Sequence, residues 1–124
     1  MNYYSLNNPD LQASFKEAVI AGIAPDKGLY FPENIAPLPK DFFQNIEQLS
    51  EHEIAFKAIH QFVNADIPDA VLKEIIANTL DFDFPVVPVE ENVATLELFH
   101  GPTMAFKDVG ARCMSNWLGY FSQG

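Results

Sequence analysis

The chain has 124 residues and a formal net charge of −10, and 48% of its residues are hydrophobic. This length suits one domain with a hydrophobic core, and the composition excludes a disordered chain. Lysine and arginine do not cluster anywhere, so we expect no nucleic-acid partner.

The sequence predicts a cytoplasmic protein without a membrane partner. Its start, MNYYSLNNPD, lacks the basic and then apolar pattern of a signal peptide, and no run of about 18 apolar residues occurs. The single cysteine, Cys113, cannot form an internal disulfide. With Met114 and Trp117 nearby, it is expected to pack as a small hydrophobic residue.

Four short elements are predicted before residue 50. The clearest is a helix, because Ser14 and Glu17 form a capping box and Gly22 suits the left-handed position that commonly ends a helix. Proline and glycine residues separate the other elements of this region. The predicted elements are a strand over 3–5, a helix over 15–21, an extended segment over 29–31 and a short helix over 41–48.

The next stretch predicts two amphipathic helices. Ser50 and Glu53 repeat the capping box, and apolar residues then recur at helical spacing. Pro68 suits the first turn of a second helix, which reaches about residue 80. Because only 64-NADI-67 joins them, the two helices should pack as an antiparallel pair.

After 81-DFDFP-85 the pattern changes to strands, predicted over 86–89 and 93–99 around a turn. We therefore place a domain boundary between residues 82 and 83, with 1–82 as one domain and 83–124 as the start of another. The predicted fold class is α+β, mainly helical with short strands.

A final helix is predicted from about Thr103, which is a plausible N-cap. Lys107 and Asp108 then fall in its first turn. Apolar residues spaced by three or four predict a stripe that faces the core. The stripe consists of Phe106, Val109, Cys113, Trp117 and Phe121.

Metal and triad chemistry find no support in the sequence. A zinc-binding helix needs two histidines four residues apart, and in 52-HEIAF-56 the second position is Phe56. His60 lies too far along the helix to pair with His52. We expect no metal site, and no Gly-x-Ser-x-Gly nucleophile motif is present.

Lys107 is the residue that calls for an explanation, since no other lysine or arginine follows Lys73 before it. A surface lysine is the ordinary interpretation. However, a helix N-terminus and the apolar neighbours Met104 and Phe106 both favour the neutral amine, which Schiff-base chemistry requires. The carboxylate of Asp108 would favour the ammonium unless it points elsewhere, and adjacent helical residues point about 100° apart.

The segment 97-ELFHGPTMAFKDVGAR-112 closely resembles the cofactor-lysine segment of the threonine synthase family. The opening Tyr3-Tyr4-Ser5, the stretch 27-KGLYFPE-33 and the helix pair before 85-PVVPVE-90 resemble that family in the same order. The resemblance spans essentially the whole chain and implies a parent enzyme of α/β architecture, pyridoxal-phosphate fold type II.

The resemblance implies that O-phospho-L-homoserine and water are converted to L-threonine and phosphate. It implies that Lys107 carries pyridoxal 5'-phosphate covalently and that Phe106 forms a wall beside the cofactor. Thr103, Asp108 and Arg112 lie where side chains could contact substrate or orient the lysine helix. The alternatives are a capping role for Thr103 and surface charge for Asp108 and Arg112.

The family's phosphate-binding loop, expected downstream of the lysine helix, would lie beyond Gly124. We therefore expect an N-terminal piece that needs the remainder of the same polypeptide, has little or no activity alone and need not hold the cofactor. Its uncovered apolar surface over 106–121 should cause self-association or disorder. Two alternatives remain open: another fold type II enzyme, such as a threonine dehydratase or cysteine synthase relative, and a non-catalytic packing or interaction module over 1–82.

Overall fold

A computed structural model of the chain describes residues 1–123. The fold is α+β, mainly helical with short strands, so the predicted fold class is confirmed. A single 3-10 turn, Ile46–Gln48, follows the second helix. The elements in chain order are β1 (Tyr3–Ser5), β2 (Gln12–Ala13), α1 (Phe15–Ala21), β3 (Tyr30–Pro32), α2 (Lys40–Gln44), α3 (Glu51–Val63), α4 (Asp69–Thr79), β4 (Val86–Glu90), β5 (Val93–Leu96) and α5 (Lys107–Phe121).

The first sheet has the order β2-β1-β3, and both strand pairs are antiparallel. Its central strand is tied to the loop before β3, because the Ser5 hydroxyl donates to the Asp26 carboxylate at 2.7 and 2.9 Å. A Cβ on Gly28 would lie 2.0 Å from the Ser5 oxygen, so this position has room only for glycine. The first sheet thus depends on the close approach of Gly28 to Ser5, which a residue with a side chain would prevent.

The Tyr3 side chain anchors this sheet to the helices. Its hydroxyl donates to the Phe62 carbonyl oxygen at 2.7 Å. Burial of the ring is the main reason why the pKa of Tyr3 is raised to about 12, and the negative charge of Asp66 adds to the effect. The neutral phenol is therefore part of the packed core.

Local capping signals predict the helix starts correctly at α1 and α3. The Ser14 hydroxyl accepts from the Glu17 N–H at 3.1 Å, and Glu17 accepts in return from the Ser14 N–H at 2.8 Å. Gly22, at φ 70°, ends α1 in the left-handed region. The predicted helix over 15–21 is confirmed at both ends.

The two middle helices form the predicted antiparallel pair. Near the end of α3, His60 Nε2 lies 3.0 Å from Asp69 Oδ1 at the start of α4. Near the start of α3, His52 Nε2 lies 3.2 Å from the Leu80 carbonyl oxygen, just after α4. The single helix predicted over 41–48 is wrong, because α2 ends at Gln44 and a 3-10 turn follows.

The core lies where α1, α4 and α5 meet the first sheet. Phe121 ends α5 and is 6% exposed, and Phe15 lies between its ring and that of Trp117, at centroid distances of 6.0 and 5.0 Å. The last helix is therefore packed against the N-terminal part of the chain. The buried cluster comprises Tyr3, Phe15, Val19, Val63, Ile67, Leu72, Ile75, Ile76 and Phe121.

The second sheet is a two-stranded antiparallel hairpin of β4 and β5. The predicted strand over 93–99 is wrong at its end, since β5 stops at Leu96. All residues of both strands are exposed, including Val86 and Val93. Within residues 1–123, no helix combines the length and apolar character needed to cross a membrane.

Candidate functional site

The candidate site lies at the N-terminus of α5. This helix begins at Lys107, and Phe106 occupies the cap position without a side-chain hydrogen bond to the helix. The predicted helix start at Thr103 is therefore wrong. Residues 101–106 form turns instead, and we call the segment from Gly101 to Asp108 the 101–108 turn.

The Asp108 carboxylate organises the 101–108 turn. Its Oδ2 accepts from the Thr103 N–H at 2.9 Å, and its Oδ1 accepts from the Thr103 hydroxyl at 2.6 Å. Thr103 therefore uses its hydroxyl as a donor to a side chain, not as a cap for the helix. Asp108 is only 3% exposed, so the surface-charge interpretation of this residue is wrong.

The same hydrogen bonds determine the charge state of Asp108. The bond from the Thr103 hydroxyl is the largest cause that lowers the pKa of this carboxyl, and the Thr103 N–H contributes further. Arg112, one turn later on α5, adds an electrostatic contribution in the same direction. The group at this position is thus a buried carboxylate.

Two backbone features shape the turn around this carboxylate. A Cβ on Gly101 would lie 2.5 Å from Asp108 Oδ2 and 2.9 Å from Asp108 Cβ. Met104 has φ 54°, in the left-handed region that non-glycine residues seldom adopt. The Gly101-Pro102 pair predicts a turn before the lysine helix, but the sequence does not show that Gly101 lies against the Asp108 carboxylate.

Lys107 differs from its neighbour Asp108 in exposure. Lys107 is exposed, and none of the three ion pairs among residues 1–123 involves it. Met104 and Phe106 are 80% and 67% exposed, so the predicted apolar surroundings of the lysine are not formed. Phe106 also leaves the predicted core-facing stripe, because the helix begins only after it.

Arg112 connects α5 to the end of α4. One guanidinium nitrogen donates to the Asn78 carbonyl oxygen and to Asp81 Oδ2, both at 2.6 Å. The guanidinium carbon lies 5.7 Å from the centre of the Phe82 ring. The Arg112 side chain therefore links α5 to the end of α4 and to the residues that follow it.

The remaining reactive side chains do not converge on Lys107. Across residues 1–123, no three His, Cys, Asp or Glu side chains are grouped as metal ligands. A groove of about 430 Å³ lies between α3 and α4, where His52, Lys57 and Lys73 line it, away from α5. Cys113 is half-buried, and burial raises the pKa of its thiol, as its packed position predicts.

The arrangement is suited to presenting one amine. Lys107 is accessible at a helix start, and Asp108 beside it is occupied by other partners. The glycines described, including Gly110 and Gly119, are scattered and form no glycine-rich phosphate loop. An exposed primary amine of this kind can condense with an aldehyde.

Comparison with known proteins gives this geometry a context. The family model described as "Threonine synthase N terminus" matches residues 2–80. The chain is 40% identical to threonine synthase of Haemophilus influenzae over 121 residues, which cover 95% of this chain and 27% of that protein.

Solved structures of threonine synthase are also similar to the chain. The crystal structure of threonine synthase from Escherichia coli superposes with a TM-score of 0.92 at 34% identity, over 98% of this chain and 28% of that one. PLP-bound threonine synthase from Brucella melitensis has the same TM-score at 30% identity, over 99% and 28%. The chain thus spans less than a third of the length of these relatives.

Proposed function

The chain belongs to the threonine synthase family, as an N-terminal part, and we propose that Lys107 supplies the amine that carries pyridoxal 5'-phosphate in the complete enzyme. The observation that supports this proposal best is the exposed, unpaired lysine at the start of α5. A PLP-bound relative shares the fold over 99% of the chain, which supports the choice of cofactor. The donor chemistry fits, since an amine reacts with an aldehyde.

The proposed reaction converts O-phospho-L-homoserine and water to L-threonine and phosphate. When bound, the cofactor supplies an electron sink for charge that develops on the substrate. The Lys107 amine would hold the cofactor until the substrate amine takes its place. The released Lys107 amine would then move protons at the substrate Cα and Cβ. An exposed side chain without an ion-pair partner is free to make this movement.

The other site residues are proposed to act around this amine. Phe106 is exposed beside Lys107 and serves as a wall of the cofactor pocket once the remaining chain covers it. Arg112 orients α5 through its contacts with α4 and does not reach for substrate. Thr103 and Asp108 likewise orient the lysine helix, because their polar atoms are bonded to each other.

The chain is proposed to be inactive by itself. It spans less than a third of its relatives, and it offers the amine without a phosphate loop. For the complete enzyme we further propose a domain boundary between residues 82 and 83 and a cytoplasmic location. Both expected consequences of the uncovered surface, disorder of the last helix and self-association through exposed side chains such as Phe106 and Met114, stay predictions.

The test is turnover of O-phospho-L-homoserine by the complete enzyme that contains this chain. Released phosphate and L-threonine are measured for the unmodified enzyme, Lys107→Ala and Lys40→Ala. Lys40 is a matched control, because it is also an exposed lysine at the first position of a helix. We expect both products in equal amounts, loss of turnover only in Lys107→Ala, and no turnover by the 124-residue chain.

Retained turnover in Lys107→Ala would refute the role of the lysine. If the complete enzyme released no phosphate from O-phospho-L-homoserine but, with other substrates, deaminated threonine or formed cysteine, it would be another fold type II enzyme. For the isolated chain, saturable and borohydride-stable labelling of Lys107 by pyridoxal phosphate would contradict the proposal that the cofactor site needs the remaining polypeptide.

A further inference from the structure

The groove between α3 and α4, which we call the α3–α4 groove, gathers positive charge in an acidic chain. Its volume of about 430 Å³ is within the range of small-molecule sites. Lys57 on α3 and Lys73 on α4 both line it, although the whole chain has 7 lysine and arginine residues against 17 aspartate and glutamate residues. None of the three ion pairs among residues 1–123 involves either lysine. The residues that line the groove are His52, Glu53, Phe56, Lys57, Lys73 and Ile76.

The floor of the α3–α4 groove is apolar. Ile76 is 3% exposed, and the half-buried ring of Phe56 packs against the core. Lys73 Nζ lies over this ring, 5.3 Å from its centre. Because residues three or four apart are neighbours on a helix, each helix contributes one apolar side chain and one lysine to the same face. The groove thus combines a hydrophobic surface with two ammonium groups.

The other polar side chains of the groove already have partners. Glu53 Oε2 accepts from the Ser50 N–H and from the Ser50 hydroxyl, both at 2.8 Å. His52 Nε2 lies 3.2 Å from the Leu80 carbonyl oxygen, so this nitrogen acts as a donor within the chain. The charge of Glu53 partly balances that of its neighbour Lys57, but two lysines against one glutamate leave the groove positive.

We propose that the α3–α4 groove binds a small organic anion that carries a carboxylate on an apolar, aromatic body. The apolar body rests on Phe56 and Ile76, and the carboxylate is held by Lys57 and Lys73. The flexible stem of Lys73 allows its ammonium to move from the Phe56 ring to the carboxylate when the aromatic body takes its place on the ring. The inference goes beyond the proposed function, since the groove shares no residue with the site at Lys107.

A neighbouring depression argues for a compact ligand and not for a peptide. It has a volume of about 250 Å³, shares Phe56 and Lys57 with the α3–α4 groove, and is also lined by Asp41 at the start of α2. An anionic peptide that continued past Phe56 would meet the Asp41 carboxylate, and like charges repel. The surface that suits an anion is therefore limited to the groove itself.

The experiment measures binding of 3-phenylpropionate and of its uncharged amide to the complete enzyme, by NMR titrations that follow the ligand signals. The two ligands have the same apolar body, so their comparison isolates the charge. We expect the carboxylate to bind about fivefold tighter than the amide. Lys57→Gln and Lys73→Gln should each weaken binding of the carboxylate by about two- to fivefold, the size of an exposed ion pair, and should leave binding of the amide unchanged.

Lys16→Gln is the matched control. Lys16 is also an exposed lysine over an aromatic ring, 5.9 Å from the centre of Phe121, but Asp66 lines the pocket beside it. Its replacement should change neither affinity. Phe56→Leu tests the floor of the groove. It should weaken binding of the carboxylate and of the amide by the same factor, because it alters the apolar surface and no charge.

Equal affinities of the carboxylate and the amide would overturn the proposal. Carboxylate binding that neither Lys57→Gln nor Lys73→Gln weakens takes place elsewhere and would also overturn it, as would an equal loss in Lys16→Gln. Tighter binding of a hexapeptide of alternating phenylalanine and glutamate, with the same dependence on Lys73, would assign the groove to a protein partner instead. Lys107→Ala should keep the dependence on Lys73, so this proposal and the proposed function fail separately.

Discussion

Replacement of Phe121 by alanine tests whether the last helix is docked in the 124-residue chain. Phe121 is 6% exposed and belongs to the core cluster with Phe15 and Trp117. An aromatic side chain buries about 150–250 Å², and at about 25 cal/mol per Å² this is worth roughly 4–6 kcal/mol as an upper bound. Measured Phe→Ala changes in cores cost about 3–5 kcal/mol. We expect Phe121→Ala to lower the free energy of unfolding by about 3–4 kcal/mol.

The matched control is Phe106→Ala, which removes the same side chain at the other end of α5. Phe106 is 67% exposed, so its loss should change the free energy of unfolding by less than about 0.5 kcal/mol. Both variants are compared by denaturant unfolding, followed by circular dichroism and by Trp117 fluorescence. A domain of this size has about 5–15 kcal/mol of stability, so the expected loss is easily measured. Equal, small effects of the two variants would mean that α5 is not docked.

Three further predictions concern stability. Because the pKa of Tyr3 is raised to about 12 in the folded chain, the phenol ionises at lower pH in the unfolded chain than in the folded one. The excess free energy of unfolding of the unmodified chain over Tyr3→Phe should therefore be complete below about pH 10 and fall as the pH rises towards 12. Urea melts at several pH values measure this difference, and a difference that does not change with pH would contradict the prediction. Arg112→Ala should lower the free energy of unfolding by about 1–2 kcal/mol in the same melts. Asp81→Ala should lower it by less, because Arg112 then keeps its hydrogen bond to the Asn78 carbonyl oxygen. Equal losses in the two variants would contradict this prediction. Ser50→Ala should cost about 1 kcal/mol and Ser50→Thr less than half of that, and equal losses would argue against the cap.

Elements set by local signals could be predicted from the sequence. The capping boxes at Ser14 and Ser50 predict the starts of α1 and α3, because each box involves residues only three apart. The antiparallel pairing of α3 and α4 also follows from a short connection. Lys107 stands out for a similar reason, since a lone cation in an acidic, apolar stretch is visible without any coordinates.

The start of α5 could not be predicted in the same way. Thr103 looks like a cap, but its hydroxyl is used by Asp108 five residues later, and the helix therefore begins at Lys107. The helical spacing predicts that both Phe121 and Phe106 lie in the core, and this is correct only for Phe121. The spacing of apolar residues shows that they share one face of a helix, but it does not show whether another part of the chain packs on that face. Burial of Asp108 and its contact with Gly101 depend on how the turn closes, which the sequence pattern does not contain.

The most direct test of the central claim is to identify which lysine carries the cofactor. The complete enzyme is incubated with pyridoxal 5'-phosphate, reduced with borohydride and digested, and the modified peptide is sequenced by mass spectrometry. We expect one saturable adduct on Lys107 and none on the matched residue Lys40. An adduct on another lysine, with Lys107 unmodified, would contradict it.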